Sequence, residues 1–195
     1  MRKIILASSS PRRKQLLKQL IGDNFEIKTG DYTEDNNLPM KPNALVMHHA
    51  LEKGRCVARN LKEGVVISAD SLVFFKNKAL GKPYTKEKAK EMLNLINGKW
   101  VDNYAGLAVI DVENKKELSD YELTKIKMKK MSLEEIEKYI KSGEPLDRAG
   151  AFAVQEKGAI FIDKVKGDYL GAVGLPLFKL NKLLEQLGIS IFEFK

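Results

Sequence analysis

Residues 3–17 read Lys3-Ile4-Ile5-Leu6-Ala7-Ser8-Ser9-Ser10-Pro11-Arg12-Arg13-Lys14-Gln15-Leu16-Leu17. An apolar run is cut off by three serines. Leu16, Leu17, Leu20 and Ile21 then set an apolar stripe at helical spacing. The pattern predicts a buried strand, a polar turn and a helix over 11–20. Ser10 stands where a side-chain oxygen caps a helix, and Pro11 suits the first helical position, whose N–H has no partner anyway. Local structure explains the serine and the proline but not the charges. Arg12, Arg13 and Lys14 would lie in the first turn, where the helix dipole disfavours each cation by about 0.3–1 kcal/mol. Free backbone N–H groups, hydroxyls and guanidinium forks converging on one turn suit a phosphate. The turn is not a P-loop, because it lacks the glycines and the closing Lys-Ser/Thr pair.

Beyond this unit, 25–28 alternates as a short strand, 30–42 is a polar loop and 43–60 has helical spacing. Val65-Val66-Ile67 is a β-branched run ending at Ser68-Ala69-Asp70, a buried strand meeting a polar end. Residues 72–75 and 79–80 flank Lys76-Asn77-Lys78 as a hairpin, and Thr85 caps a helix reaching 96. A second hairpin spans 100–112 and 118–131. Ser132 and Glu135 form a capping box for a helix to 143. A strand over 159–163, a helix from Leu175-Pro176 to 187–188 and a strand over 189–194 complete the reading. Strands mixed with helices, some joined by hairpins, point to an α/β fold with a mixed sheet.

The chain has 195 residues, 44% hydrophobic and 31% charged. That suits one domain over 1–195, burying roughly 70% of its unfolded surface. No apolar run approaches the ~20 residues of a membrane span, and the opening run is too short for a signal peptide. The lone Cys56 excludes an internal disulfide and a cysteine-only zinc site, and reads as a buried thiol. A cytoplasmic setting follows as the expectation. The net charge is +8, from 34 basic and 26 acidic residues. Residues 1–70 hold 12 basic against 8 acidic side chains, and 71–195 hold 22 against 18, so there is no basic arm. The excess reads as a lysine-rich solvated surface rather than a polynucleotide track.

Three more places could carry chemistry. Asp70, at the polar end of its strand, could hold a divalent cation or activate water, or simply end the strand. Lys82, in Leu80-Gly81-Lys82-Pro83, could reach a phosphate as a point charge or be an ordinary surface lysine. Asp147 and Arg148 lie in Gly143-Glu144-Pro145-Leu146-Asp147-Arg148-Ala149-Gly150, either an exposed ion pair or the entrance to a ligand site. Gln155, with donor and acceptor on one amide, suits reading a base edge. His48 and His49 are helical neighbours that face apart and lack the spacing of a zinc pair. Trp100 reads as core, and Lys125, Lys127 and Lys129 alternate outward with Ile126 and Met128 inward.

Leu6-Ala7-Ser8-Ser9-Ser10-Pro11-Arg12-Arg13 with Leu16-Leu17 resembles the opening signature of the Maf family, nucleoside triphosphate pyrophosphatases also called septum formation inhibitors. Further segments follow in that family's order: Glu52-Lys53, Ala69-Asp70-Ser71, Leu80 to Pro83, Gly143 to Phe152, Gln155 and Val173-Gly174-Leu175-Pro176. The resemblance implies an elongated, two-lobed mixed α/β fold around a central cleft, like that of the inosine triphosphatase group. It implies cleavage of a nucleoside triphosphate to monophosphate and pyrophosphate, with magnesium or manganese as cofactor, in a homodimer that holds no stable nucleic acid or membrane. It makes Asp70 the catalytic proton acceptor and gives the phosphates to Ser8, Arg12, Arg13, Lys53 and Lys82. Glu34 with Asp70 would hold the metal.

Arg12, Ser71 and Gln155 stand where the family sets its base preference. The branch similar to dTTP/UTP pyrophosphatases has arginine, threonine and glutamine there; the 7-methyl-GTP branch has tryptophan, glutamine and glutamate. Two of three match the first branch, and Ser71 keeps the hydroxyl. The chain departs from the pattern in five places: Ser71 for threonine, Ala105 for threonine before Gly106, Arg148 for lysine, Leu170-Gly171-Ala172 for Ser-Asn-Val, and Asp31-Tyr32-Thr33-Glu34 for the usual acidic run that would carry the Glu34 ligand. The leading expectation is a pyrophosphatase acting on dTTP, UTP or modified pyrimidine nucleotides. A 7-methyl-GTP or other modified-nucleotide pyrophosphatase, and a non-enzymatic basic regulator of cell division that binds nucleic acid, are the alternatives.

Overall fold

The computed structural model describes residues 2–194; Met1 and Lys195, the ends of the expected domain, lie outside them. Strand β1 (Ile4–Leu6) leads through the serine turn into helix α1 (Pro11–Ile21), as the opening stretch predicts. Ser10 accepts from the backbone N–H of Arg13, and Pro11 takes the first helical position. Strand β2 (Glu26–Ile27), helix α2 (Pro42–Ala58), strands β3 (Val65–Phe75) and β4 (Lys78–Leu80), and helix α3 (Lys86–Ile96) follow. The long strands β5 (Trp100–Asp111) and β6 (Lys116–Met128) make the second hairpin, followed by helix α4 (Leu133–Lys141) behind its capping box. Strand β7 (Ile162–Lys166) and helices α5 (Tyr169–Val173) and α6 (Leu177–Glu185) close the order.

One mixed sheet of seven strands runs β2-β1-β3-β5-β6-β7, with β4 added to β3. β1 pairs parallel with both β2 and β3, and all other pairings are antiparallel. β5 lies along one whole edge of β3, from Val65 to Phe74. On the opposite edge β1 covers Val65 to Ile67 and β4 covers Val73 to Phe75. Between them, over 68–72, that edge has no strand partner among the described residues.

Four expectations are corrected here. The strand after Val65 does not end at Asp70. It continues to Phe75, because β5 pairs it throughout and β4 takes over where β1 stops. Residues 159–163 are mostly a 3-10 turn, Glu156–Phe161, whose entry is fixed by Glu144 accepting from the N–H groups of Lys157 and Gly158. Residues 189–194 form no strand: Ser190 caps a 3-10 turn, Ile191–Glu193. Trp100 is not core. It opens β5 at 37% exposure, with the Lys166 ammonium over its ring. Cys56 is buried as expected.

Helix α2 packs on one sheet face, and the larger core, with α3, α4 and α6, fills the other. The approach of α2 is set by Gly106. A Cβ there would stand 2.1 Å from the Val46 carbonyl oxygen, so no side chain fits between helix and strand. Ser68 donates to the Ala50 carbonyl at 2.7 Å and pins the same contact. Gly106 pairs in register with Asp70, so this close approach brings α2 onto the strand beside the carboxylate.

Candidate active site

Asp70 is 3% exposed on β3 and turned toward α2. Lys53, one face of α2, donates to Asp70 Oδ1 at 2.5 Å and pairs with Glu34 Oε1 at 2.5 Å. One ammonium thus joins two carboxylates. Glu34 arrives on the loop before α2. That loop is moored by Tyr32, whose hydroxyl lies 2.7 Å from His49 Nδ1, and by Gly30, where a Cβ would meet Cys56 at 2.6 Å. His49 is wholly buried one turn before Lys53; burial pushes its pKa down, against the pull of Asp70 and Glu34. The remaining Asp70 oxygen, Oδ2, is buried without a partner.

Ser71, next on the strand, points to the opposite face, as alternation requires. Its hydroxyl meets Arg13, whose guanidinium also donates to Ser8 Oγ at 3.4 Å and to the Gly174 carbonyl at 3.0 Å. Arg13 therefore reaches around the unpaired edge of β3. The side chain of Arg12, one residue back, makes no hydrogen bond or ion pair with any described residue. Burial lowers the pKa of both arginines. At Arg12 the neighbouring Arg148 adds to the effect, whereas at Arg13 the charges of Asp70 and Glu34 oppose it. Each guanidinium has lost hydration that an anion would replace.

The opposite wall comes from 81–84 and 144–156. Gly150 donates to the Gly81 carbonyl, and Tyr84 to the Leu146 carbonyl, knitting the two segments together. Lys82 pairs with Asp147 at 2.7 Å, and this hydrogen bond holds the Asp147 carboxyl below its usual range. Arg148 reaches Asp147 and Glu156 at 3.5 and 3.3 Å. Beneath them Tyr139 donates to Glu144, accepts from the Ala153 N–H, and is held by burial well above the usual tyrosine range.

Two adjoining cavities fill the space between these walls. One is lined by Ser8, Ser10, Arg12, Arg13, Lys53 and Lys82 among others. The second shares the arginines and adds Asp70, Ser71, Val73, Phe152, Val154 and Gln155. Of the residues singled out in the sequence, Ser8, Arg12, Arg13, Glu34, Lys53, Asp70, Ser71, Lys82, Asp147, Arg148 and Gln155 line one or both, whereas Lys14, grouped with the arginines for phosphate, lines neither. Sequence reasoning passed over Asn103, in the second cavity, and the Tyr32–His49 and Tyr139–Glu144 pairs that hold the walls. Asn103 had a signal: it interrupts the inward row of β5, where Val101, Ala105, Leu107 and Val109 are all apolar and buried.

No group of three or more His, Cys, Asp or Glu side chains able to hold a metal occurs among the described residues. The Asp70–Glu34 pair nevertheless fits a hard divalent cation. The two carboxylates already converge on one positive charge, the Lys53 ammonium. Magnesium is commonly held by one or two carboxylates, with water and substrate phosphates completing its shell.

Residues 3–187 match the family described as Maf-like protein. The chain is 51% identical over 193 residues to the dTTP/UTP pyrophosphatase of Methanosarcina barkeri, spanning 99% of this chain and 98% of that one. It is 42% identical over 196 residues to the dTTP/UTP pyrophosphatase of Clostridium botulinum, spanning 98% and 100%. A solved HAM1 protein from Coxiella burnetii superposes with a TM-score of 0.57 at 18% identity, over 95% of this chain and 100% of that chain. The HAM1 likeness shows a shared fold.

Proposed function

The chain belongs to the Maf family, and from that premise we propose that it hydrolyses dTTP and UTP to the nucleoside monophosphate and pyrophosphate. The single observation that carries the chemistry is Asp70, which lines the cleft with one oxygen fixed by Lys53 and the other buried and unpartnered. The free oxygen takes the proton of the attacking water as its oxygen bonds to phosphorus, and the bridging P–O bond breaks to release pyrophosphate. Lys53 keeps the carboxylate oriented. Arg12, Arg13 and Lys82 meet the phosphate oxygens and offset charge as it develops, which is most of what phosphoryl transfer asks of a protein. When held by Asp70 and Glu34, a divalent cation, magnesium or manganese, supplies further neutralisation of the phosphate oxygens.

The base is assigned to the second cavity, with Ser71 and Gln155. Gln155 is part-buried and neutral, which suits an uncharged pyrimidine edge better than a cationic methylated guanine. One domain, a homodimer and a cytoplasmic setting accompany the proposal from the family resemblance. The test is a panel of UTP, dTTP, CTP, ATP, GTP and 7-methyl-GTP, assayed for pyrophosphate with magnesium and with manganese. UTP and dTTP should lead, and Asp70→Asn should reduce their turnover at least about 100-fold. A panel led by a purine nucleotide would defeat the substrate assignment, and full activity in Asp70→Asn would defeat the mechanism.

A further inference from the structure

Asn103 is the polar member of the second cavity that neither the sequence motifs nor the family resemblance assigns. It lies on β5, in register with Val73 of β3 and Thr124 of β6. Its neighbours along the inward row are apolar, and a valine there would satisfy both burial and strand geometry. Instead the position holds an amide that is 4% exposed, lines the cavity and leaves its Nδ2 without a partner. Its Oδ1 makes no hydrogen bond to a described residue but is not sealed from solvent, so it is the Nδ2 end that is buried without a partner. Thr124, directly opposite, already spends its hydroxyl proton on the Asp168 carbonyl at 2.7 Å. A buried amide N–H without a partner is disfavoured in the free protein, and a ligand atom that accepts from it recovers what was lost.

The position says which part of a ligand that would be. The cationic groups gather at the mouth of α1 and at Lys82, while Asn103 sits deeper, among Val73, Ile126, Phe152 and Val154. With the triphosphate at the cationic end, the group reaching this apolar end is the base. Uracil and thymine present two carbonyl oxygens and one N–H, all of them partners for an amide. We propose that Asn103 is a specificity-determining residue whose Nδ2 donates to a carbonyl oxygen of the bound pyrimidine. This rests on the pyrimidine triphosphate reading above.

The test is a cycle between protein and substrate. Asn103→Val and the wild type are compared on UTP, 2-thio-UTP and 4-thio-UTP, in which a poor acceptor replaces one carbonyl oxygen at a time. For the wild type, kcat/KM on one thio analogue should fall roughly 10-fold below UTP, mainly through KM. Asn103→Val should lose a similar factor on UTP and no longer distinguish UTP from that analogue, because the contact is already gone. Its melting temperature should hold or rise, since an unpartnered amide has been replaced by a methyl-bearing side chain suited to the strand. If Asn103→Val melts lower and loses the same factor on all three substrates, Asn103 is structural and the proposal is overturned. If it keeps wild-type kinetics, the proposal is overturned with the enzyme's function intact. If the wild type turns over no pyrimidine triphosphate, the functional reading itself falls and takes this inference with it.

Discussion

Gly106→Ala tests whether the helix-to-sheet contact sets the chemistry. The new Cβ would lie 2.1 Å from the Val46 carbonyl oxygen and 2.3 Å from its carbonyl carbon, both backbone atoms that cannot rotate away. Real Cβ atoms essentially never come closer than 3.0 Å, so α2 and β5 must separate by at least about 0.9 Å. Lys53 lies two turns along the same helix, 2.5 Å from Asp70 on the strand paired with Gly106. Carried rigidly, the separation takes that contact to about 3.4 Å, the limit of a useful hydrogen bond. Overpacking costs about 1–3 kcal/mol, which lowers the melting temperature by roughly 2–12 °C at this chain length. The catalytic loss should be larger in proportion, about 100-fold in kcat/KM for UTP, as expected of a 1 Å misplacement. Gly54→Ala is the comparison: its Cβ meets the Ser68 hydroxyl at 2.7 Å and the Ile110 methyl at 2.9 Å, side-chain atoms that can give. Pyrophosphate release and thermal melts are measured on both. If Gly106→Ala keeps kcat/KM within twofold, or if Gly54→Ala is the more damaging, the close approach of α2 does not register Lys53 on Asp70.

Arg2 holds the Asp111 carboxyl far below its ordinary range through two hydrogen bonds of 2.5 Å to a carboxylate that is 1% exposed. A depressed carboxyl stabilises the fold above its unfolded pKa of about 3.9 and loses that contribution as pH falls below it. Arg2→Met should therefore cost about 2–3 kcal/mol at pH 7, and the gap from wild type in denaturant melts should shrink below about pH 4; a gap constant with pH would remove the ion pair as its cause. Tyr139→Phe deletes the donor to Glu144 and the acceptor of the Ala153 N–H, so it should cost about 1–3 kcal/mol. Because those groups support the wall carrying Arg148 and Gln155, KM for UTP should rise several-fold with little change in kcat, and a fall in kcat alone would argue against a wall that only positions substrate.

The βα opening was legible because its signals are local: an apolar run, a cap and a proline at the first helical position. Only the charges exceeded local need; Arg12 and Arg13 line the cleft, and Lys14 does not. The run 65–70 was misread as a terminating strand because Ser68 and Asp70 look like an end. Their continuation depends on partners 35–40 residues later in the chain, which no window around Asp70 contains. The turns at 156–161 and 191–193 were misread for a related reason: apolar residues there pack through a side-chain cap or a distant glutamate rather than through a ladder. Asn103 left a legible trace, one polar residue in an apolar period-2 row. The trace gains meaning only when the facing strands show that nothing satisfies the amide.

The continuation of β3 through Asp70 matters for function as well as for topology. Successive residues of a strand face opposite ways, so Asp70 enters the layer of α2 while Ser71 enters the layer of α5 and the 149–155 segment. A strand ending at Asp70 would leave one of these layers without its residue. Here one strand serves both, and the unpaired edge at 68–72 is where a ligand can pass from one layer to the other. Arg13 lies beside that edge, touching Ser8 after β1, Ser71 on β3 and the Gly174 carbonyl after α5. The two proposed roles, proton acceptor and base contact, thereby fall to adjacent residues of an element paired on its other edge by β5 from Val65 to Phe74. A one-residue slip of β3 against β5 would exchange the two faces and put a hydroxyl on Lys53 and a carboxylate against Arg13. The long register from Val65 to Phe74 opposes that slip, so the extended pairing of β3 with β5 is what keeps the Asp70 carboxylate and the Ser71 hydroxyl on opposite faces, as the proposed division between proton acceptor and base contact requires.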